Sequence, residues 1–323
     1  MSVRRSSQLF ALVLILLSGG CGNPPPEVIS EAEHTLLGPK RQVHSVSFSH
    51  DGRLVVCSAR GIRVWKPGTG FDEIFRLGGR TPVYSVSCSA SSSLMASAGG
   101  DGVASLWDLR TTTEGVRLRG HRGWIHDVAF SPDGLLVASA GSDGTVKLWD
   151  IASGTERETL SGHCKAVRCV VFSPDGKRLA SGGVDRTVVV WDLVKGEQLL
   201  ALAGYDDGIS SLAYSPDGSQ LAVAAGGRSV GILDAHTGGV LFSPADRDRR
   251  ITAIAYSPGG ELLAAGTRDG RVRLLDPRDG RLRFRIDGHD GGITDLAFRP
   301  DGKRLVTSCS EGAVKIWNLG GRY

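Results

Sequence analysis

Methionine is nearly missing, with two residues in 323, aromatic positions amount to 6%, and runs of Glu, Lys and Ala are sparse. Long amphipathic helices have little to build on. No apolar run reaches the 18 to 20 residues of a membrane-spanning helix. Blocks of like charge are also missing: 38 Lys and Arg and 34 Asp and Glu are spread along the chain, giving a net charge of +4. That spread offers no basic arm for nucleic acid, and no nucleic-acid partner is expected. Phosphate loops, calcium loops and zinc helices are absent, so no cofactor and no metal is expected. What remains is 45 glycines, 41% hydrophobic and 22% charged residues, the mixture of a globular all-β chain with many short strands and turns.

The first twenty residues stand apart. Arg4 and Arg5 precede an unbroken apolar run from Leu9 to Leu17, and Ser18, Gly19 and Gly20 lead into Cys21. Residues 1–20 read as a secretory signal peptide. Leu-Ser-Gly-Gly-Cys resembles the bacterial lipoprotein box, with Ser18 where that family usually has Leu and Leu17 one place earlier. The resemblance implies removal of the signal and lipid attachment at Cys21. Residues 21–30, with three consecutive prolines, are then a tether, and the protein is expected outside the cytoplasm, in a bacterial cell envelope, anchored to a membrane by lipid alone. Without Arg4 and Arg5 the chain keeps 36 basic against 34 acidic residues, a balance that points to no partner.

Five further cysteines, Cys57, Cys88, Cys164, Cys169 and Cys309, are odd in number and fit no complete disulfide framework. All but Cys164 fall in strand-like patterns, where a buried thiol behaves as a small hydrophobe. His34, His44, His50, His126 and His236 are read as occupying different strand and turn positions, which disfavours a metal cluster.

The decisive pattern is a repeat. Trp65, Trp107, Trp149, Trp191, Leu233, Leu275 and Trp317 recur every 42 residues. Val43, Val83, Ile125, Val167, Ile209, Ile251 and Ile293 form a second column. Within one unit, Ile125 to Phe130, Leu135 to Ala140, Thr145 to Trp149 and Thr155 to Ser161 read as four strands separated by turn signals. Gly-His pairs at 120–121, 162–163 and 288–289 precede units, and Trp-Asp pairs at 107–108, 149–150 and 191–192 close them. In these motifs the chain resembles the WD-repeat β-propellers over about residues 30 to 319.

The resemblance implies seven four-stranded blades over residues 31–319, followed by a short tail at 320–323. The last unit stops after its third strand, while residues 33–38 align with a fourth strand that has no preceding three. An N-terminal strand is therefore expected to complete the last blade and close the ring. In the family a His, a Ser or Thr, an Asp and a Trp form a buried hydrogen-bond chain in each regular blade. That implies structural tetrads of His121, Ser139, Asp143 and Trp149, and of His163, Ser181, Asp185 and Trp191. His289, Thr307, Glu311 and Trp317 form a variant, and blade two keeps Ser97, Asp101 and Trp107. Asp, His and Ser together invite comparison with a hydrolase, but a nucleophile must be exposed beside an oxyanion site, so no catalytic residue is assigned. Gly227-Arg228-Ser229-Val230-Gly231 matches a serine-hydrolase string but falls between two blade strands.

In the family, the loops between blades and those between second and third strands form the narrower top face, which receives partners. On that face Trp124 is the one large aromatic in its column, ringed by Arg122, Lys165, Arg186, Arg228, Arg250 and Arg268. Exposed Trp is enriched at binding hot spots. The expected function is a monomeric, non-catalytic scaffold that binds a protein or peptide there. The alternative is an extracytoplasmic propeller enzyme or ligand-binding protein using the central channel, for which Asp127 and Asp295 are the only carboxylates two places into a first strand.

Overall fold

A computed structural model of the chain describes residues 26–37, 42–58, 61–66, 72–78, 81–226, 230–243 and 250–320. All regular structure among them is β-strand. Strands follow one another as antiparallel neighbours because each is short, alternates apolar and polar positions and ends in a tight turn. Ile125–Phe130, Leu136–Gly141, Thr145–Asp150 and Glu156–Ser161 show the pattern in blade three. The Ser-Pro-Asp-Gly turn between its first two strands closes on Ser131, whose hydroxyl donates to Asp133 at 2.6 Å and accepts the Leu136 N–H at 2.9 Å.

Equivalent sheets cover 43–78, 83–119, 167–202, 211–242 and 251–287, and a further one joins Ile293–Phe298, Arg304–Cys309 and Ala313–Asn318 to His34–Leu37. His34–Leu37 runs antiparallel to Ala313–Asn318, Leu36 opposite Val314. Between successive sheets lies one apolar cluster, and each contains the column residue of the later blade. Trp149 packs on Ala96, Ala98 and Leu106 of the blade before it, Trp191 on Leu136 and Leu148, and Trp317 on Leu262 and Leu274. Leu233 and Leu275 fill the same place in two other clusters. Trp65 packs with Val306, Val314 and Ile316, which joins the first sheet to the last.

Two expectations need correction. Uniform four-stranded blades, closed only by one N-terminal strand in the last blade, are not what forms: six sheets have four strands and one has five. Glu27–Ile29 adds a strand parallel to Leu282–Asp287 at the outer edge of the sheet over 251–287, with Ile29 opposite Ile286. Its physical reason is Ile29, which buries itself in the cluster of Ile286, Leu274 and Trp317 and leaves Glu27 and Val28 exposed. The N-terminal segment thus serves two neighbouring blades. The tether, expected to run to residue 30, consequently overlaps the fold from Glu27 onward.

Innermost strands of neighbouring blades do not pair with one another, and several of their N–H groups take side-chain acceptors across the seams. Val170 N–H donates to Asp127 at 2.9 Å, Val46 N–H to Asp295 at 2.9 Å, and Ile254 N–H to Ser211 at 3.2 Å. Six of these strands carry a β-bulge at their start, for example between Ile125 and Asp127. A bulge frees one residue from the ladder and re-aims its side chain.

Candidate functional site

In blade three the Trp149 indole donates to Ser139 at 2.8 Å, Ser139 Oγ lies 2.8 Å from His121 Nε2, and His121 Nδ1 lies 2.9 Å from Asp143. Blade four repeats this, with 2.9 Å from Trp191 to Ser181, 2.9 Å from Ser181 to His163 and 3.0 Å from His163 to Asp185. Ser139 and Ser181 are fully buried, each hydroxyl held between an indole and an imidazole, so neither can meet a substrate. Burial works to raise the Asp143 carboxyl, yet the Arg122 N–H, the Thr145 hydroxyl and His121 outweigh it and hold it down at about 2. Gly141 and Gly183 have no room for a Cβ, which would strike the imidazole and carboxylate of each tetrad. The variant in blade seven is incomplete: His289 Nε2 meets Thr307 at 2.7 Å, but buried His289 Nδ1 has no partner and Glu311 points into solvent.

The central channel holds Asp127 and Asp295, whose carboxylates are occupied by backbone. Asp127 takes the Ser85 hydroxyl at 2.7 Å and the N–H groups of Val128 and Val170, and Asp295 takes those of Val46 and Leu296. Each shows some surface to the narrow channel but is enclosed by protein. Burial pushes Asp127 up to about 7, with a further push from the charge of Asp295, and burial pushes Asp295 up to about 6. Both brace blade seams. Among the described residues no group of three or more His, Cys, Asp or Glu could hold a metal ion.

The top face is built by one residue at the start of each inner strand, in blade five the residue just before it. The column reads His44, Tyr84, His126, Arg168, Ser210, Thr252 and Thr294, the freed residue wherever a bulge occurs. Blades one to three contribute rings. His44 and Tyr84 meet edge to face with centroids 5.2 Å apart, Tyr84 stacks on His126 at 6.2 Å, and Trp124 leans on Tyr84 at 5.8 Å. Trp124 remains 53% exposed. Burial lowers both histidines, in His126 with help from the Arg168 charge, so the arc is neutral near pH 7. Blades five to seven contribute small hydroxyls, and beside them opens a cavity of about 600 Å³ lined by Arg168, Ser210, Arg250, Thr252, Arg268 and Thr294, with Asp207 as its one carboxylate.

The expected rim residues fall in three groups. Arg250 and Arg268 line the cavity, and Arg250 is bound to Asp207 and to the Gly226 carbonyl. Arg122, Lys165 and Arg186 are exposed on the loops of blades three and four, outside the cavity lining. Arg186 holds a left-handed backbone with φ of 64°, where blades two, three, six and seven place glycine. Arg228 and Cys21, with Arg247 and Arg249, lie outside the described residues, as does most of the Gly-Arg-Ser-Val-Gly string. Sequence reasoning missed Arg168, Tyr84, His44 and His126. The signal was available, since His44 and His126 in fact share one column, against the expectation that the histidines occupy unrelated positions.

Comparison with known families agrees with this geometry. A family model described as IFT122 first beta-propeller matches residues 124–323, well over half of the chain. The model described as WD domain, G-beta repeat matches residues 30–66 and 72–108. The first of these matches begins at residue 30 and takes in the strand His34–Leu37, because a sequence repeat starts with the outer strand of the preceding blade. No curated protein matches the chain. With bulged inner strands, indole-centred seams and two complete tetrads, the chain belongs to the WD-repeat β-propellers, within the family described as IFT122 first beta-propeller.

Proposed function

We propose that this propeller is a non-catalytic scaffold, tethered outside the cytoplasm by a lipid on Cys21, which binds a protein or peptide on its top face. WD-repeat propellers commonly serve as protein-interaction scaffolds. The observation that carries the reading is Trp124, a large aromatic 53% exposed on a supporting arc of Tyr84 and His126. An aromatic anchor braced from behind gives contact area at low entropic cost, as binding hot spots require. The tetrads support the non-catalytic reading, since their Ser and His groups are spent on holding the blades. A pull-down from membranes tests it: wild type should retain a protein partner that Trp124→Ala loses, both melting at the same temperature. Equal recovery by both would remove the top face from the interaction.

A further inference from the structure

We propose that the cavity and the aromatic arc together form a two-part recognition site for an acidic peptide segment that carries a bulky aromatic side chain, its carboxylates held by Arg168 and Arg268 and its ring laid against Trp124 and Tyr84. The inference rests on the top-face reading above and names the chemistry of the partner.

The cavity exists because the bulge column is asymmetric. Rings fill the channel mouth on the side of blades one to three, whereas Ser210, Thr252 and Thr294 leave it open on the other. These hydroxyls are already committed to the fold: Ser210 donates to the Ile251 carbonyl at 3.2 Å and Thr252 to that of Ile293 at 2.7 Å. They make the wall, and the arginines make the charge. At about 600 Å³ the space takes one or two side chains of a peptide.

Among the described residues many arginines are paired with a nearby carboxylate, as in Arg53 with Asp51, Arg110 with Asp108 and Arg281 with Asp279. Arg168 and Arg268 depart from that habit. Both are exposed, both line the cavity, and neither guanidinium has an ion pair or hydrogen bond among the described residues. The lining carries three arginines against one carboxylate, Asp207, which Arg250 already holds. Guanidinium presents a planar fork that fits a carboxylate in two-point contact, so the surplus selects an anionic group of that shape. Arg186 adds to the same field from the rim, where its charge acts on Asp207. A side chain kept in the left-handed region at a position four other blades give to glycine is strain of the kind that collects at binding sites.

The two halves are neighbours on this face, since His126 and Arg168 hold the same bulge position in adjacent blades three and four, and His126 also lies against Tyr84 and Trp124. A ligand of pure charge would use one half only, and an apolar ligand the other.

The test is fluorescence anisotropy on the full chain at 150 mM salt. Its probe is a fluorescein-labelled peptide alternating Glu and Trp, compared with the same peptide with Gln for Glu, with Ala for Trp, and with an oligothymidine of equal charge. The acidic, aromatic peptide should bind at least tenfold tighter than each of the other three. Arg168→Gln and Arg268→Gln should each weaken it at least fivefold, and Trp124→Ala should abolish the advantage over the Ala peptide, with melting temperatures unchanged. Binding equal to that of the Gln peptide, tighter binding of the oligothymidine, or indifference to both arginine variants overturns the proposal. Should the membrane pull-down still depend on Trp124 in that case, the top-face reading stands and only the partner's chemistry is wrong.

Discussion

A carboxyl group in the channel shows how one residue can be read in two ways. Two places into a first strand, Asp127 looks like the start of a ligand set, yet its oxygens take two backbone N–H groups and a serine hydroxyl. Enclosure pushes its pKa to about 7, against about 4 in an unfolded chain. Between those values the folded protein keeps a proton that the unfolded chain releases, so this group's contribution to stability is fullest below about pH 4 and is lost as pH rises towards 7. Asp295 acts in the same direction over a shorter window, to about 6. Asp127→Asn removes one of these titrations. The variant should therefore lose less stability than wild type between pH 5 and pH 8, by roughly 1 to 3 kcal/mol once the partial access of the channel is allowed for. His44 and His126 titrate alike in both proteins and cancel from the comparison. Urea midpoints at the two pH values decide it, and an identical change in both proteins would place the pKa of Asp127 near its ordinary value.

Strands were legible where they repeat. Two columns of seven aligned positions identified the inner and third strands and the indole positions, because a residue needed in each blade recurs at a near-constant interval, and the family resemblance implied both complete tetrads. Glu27–Ile29 has no counterpart in any other unit, and nothing in three residues after a proline run announces a parallel edge strand. The aromatic arc was hidden for a different reason: His44, Tyr84 and His126 are about 40 residues apart and meet only because inner strands converge on an axis. Glu311 was legible as a departure from Asp, though not that His289 Nδ1 would be left without a partner. The two N-terminal strands contribute unequally. Leu36 buries itself between blades seven and one, and the strand around it covers the edge of Ala313–Asn318, whereas Ile29 caps an outer edge. Removing residues 1–32 should lower the melting temperature by a few degrees, leaving Glu33 on Arg304 and Leu36 in place. Removing residues 1–37 should expose an unpaired edge and cause aggregation or a loss well beyond 5 °C. Scanning calorimetry with size-exclusion chromatography tests this, and a monomer of unchanged melting temperature after the longer truncation would refute it.

For the whole molecule, strand direction relates the proposed lipid anchor to the proposed binding face. First strands begin at the top face, so by alternation fourth strands begin at the bottom and end at the top. Glu27–Ile29 runs parallel to Leu282–Asp287, a fourth strand, and therefore also begins at the bottom. The chain before Glu27 leaves from that side, at the outer edge of the sheet over 251–287. Six residues, three of them proline, lead from Cys21 to Glu27, so the proposed leash spans at most about 20 Å even when fully extended. Glu27–Ile29 being part of the fold makes this leash shorter than one running to residue 30. A lipid on Cys21 would hold the bottom rim near the bilayer and turn Trp124, Arg168 and Arg268 away from it, towards a partner in solution or on a facing surface. Among the described residues no helix is long and apolar enough to cross a membrane. Cys21→Ser should move the protein from the membrane to the soluble fraction with its melting temperature intact. A photo-cross-linker at position 124 should capture protein, and one at position 27 should capture lipid. Membrane retention of the Cys21 variant would remove the lipid anchor from the scheme, and lipid adducts from position 124 would invert the molecule on its membrane.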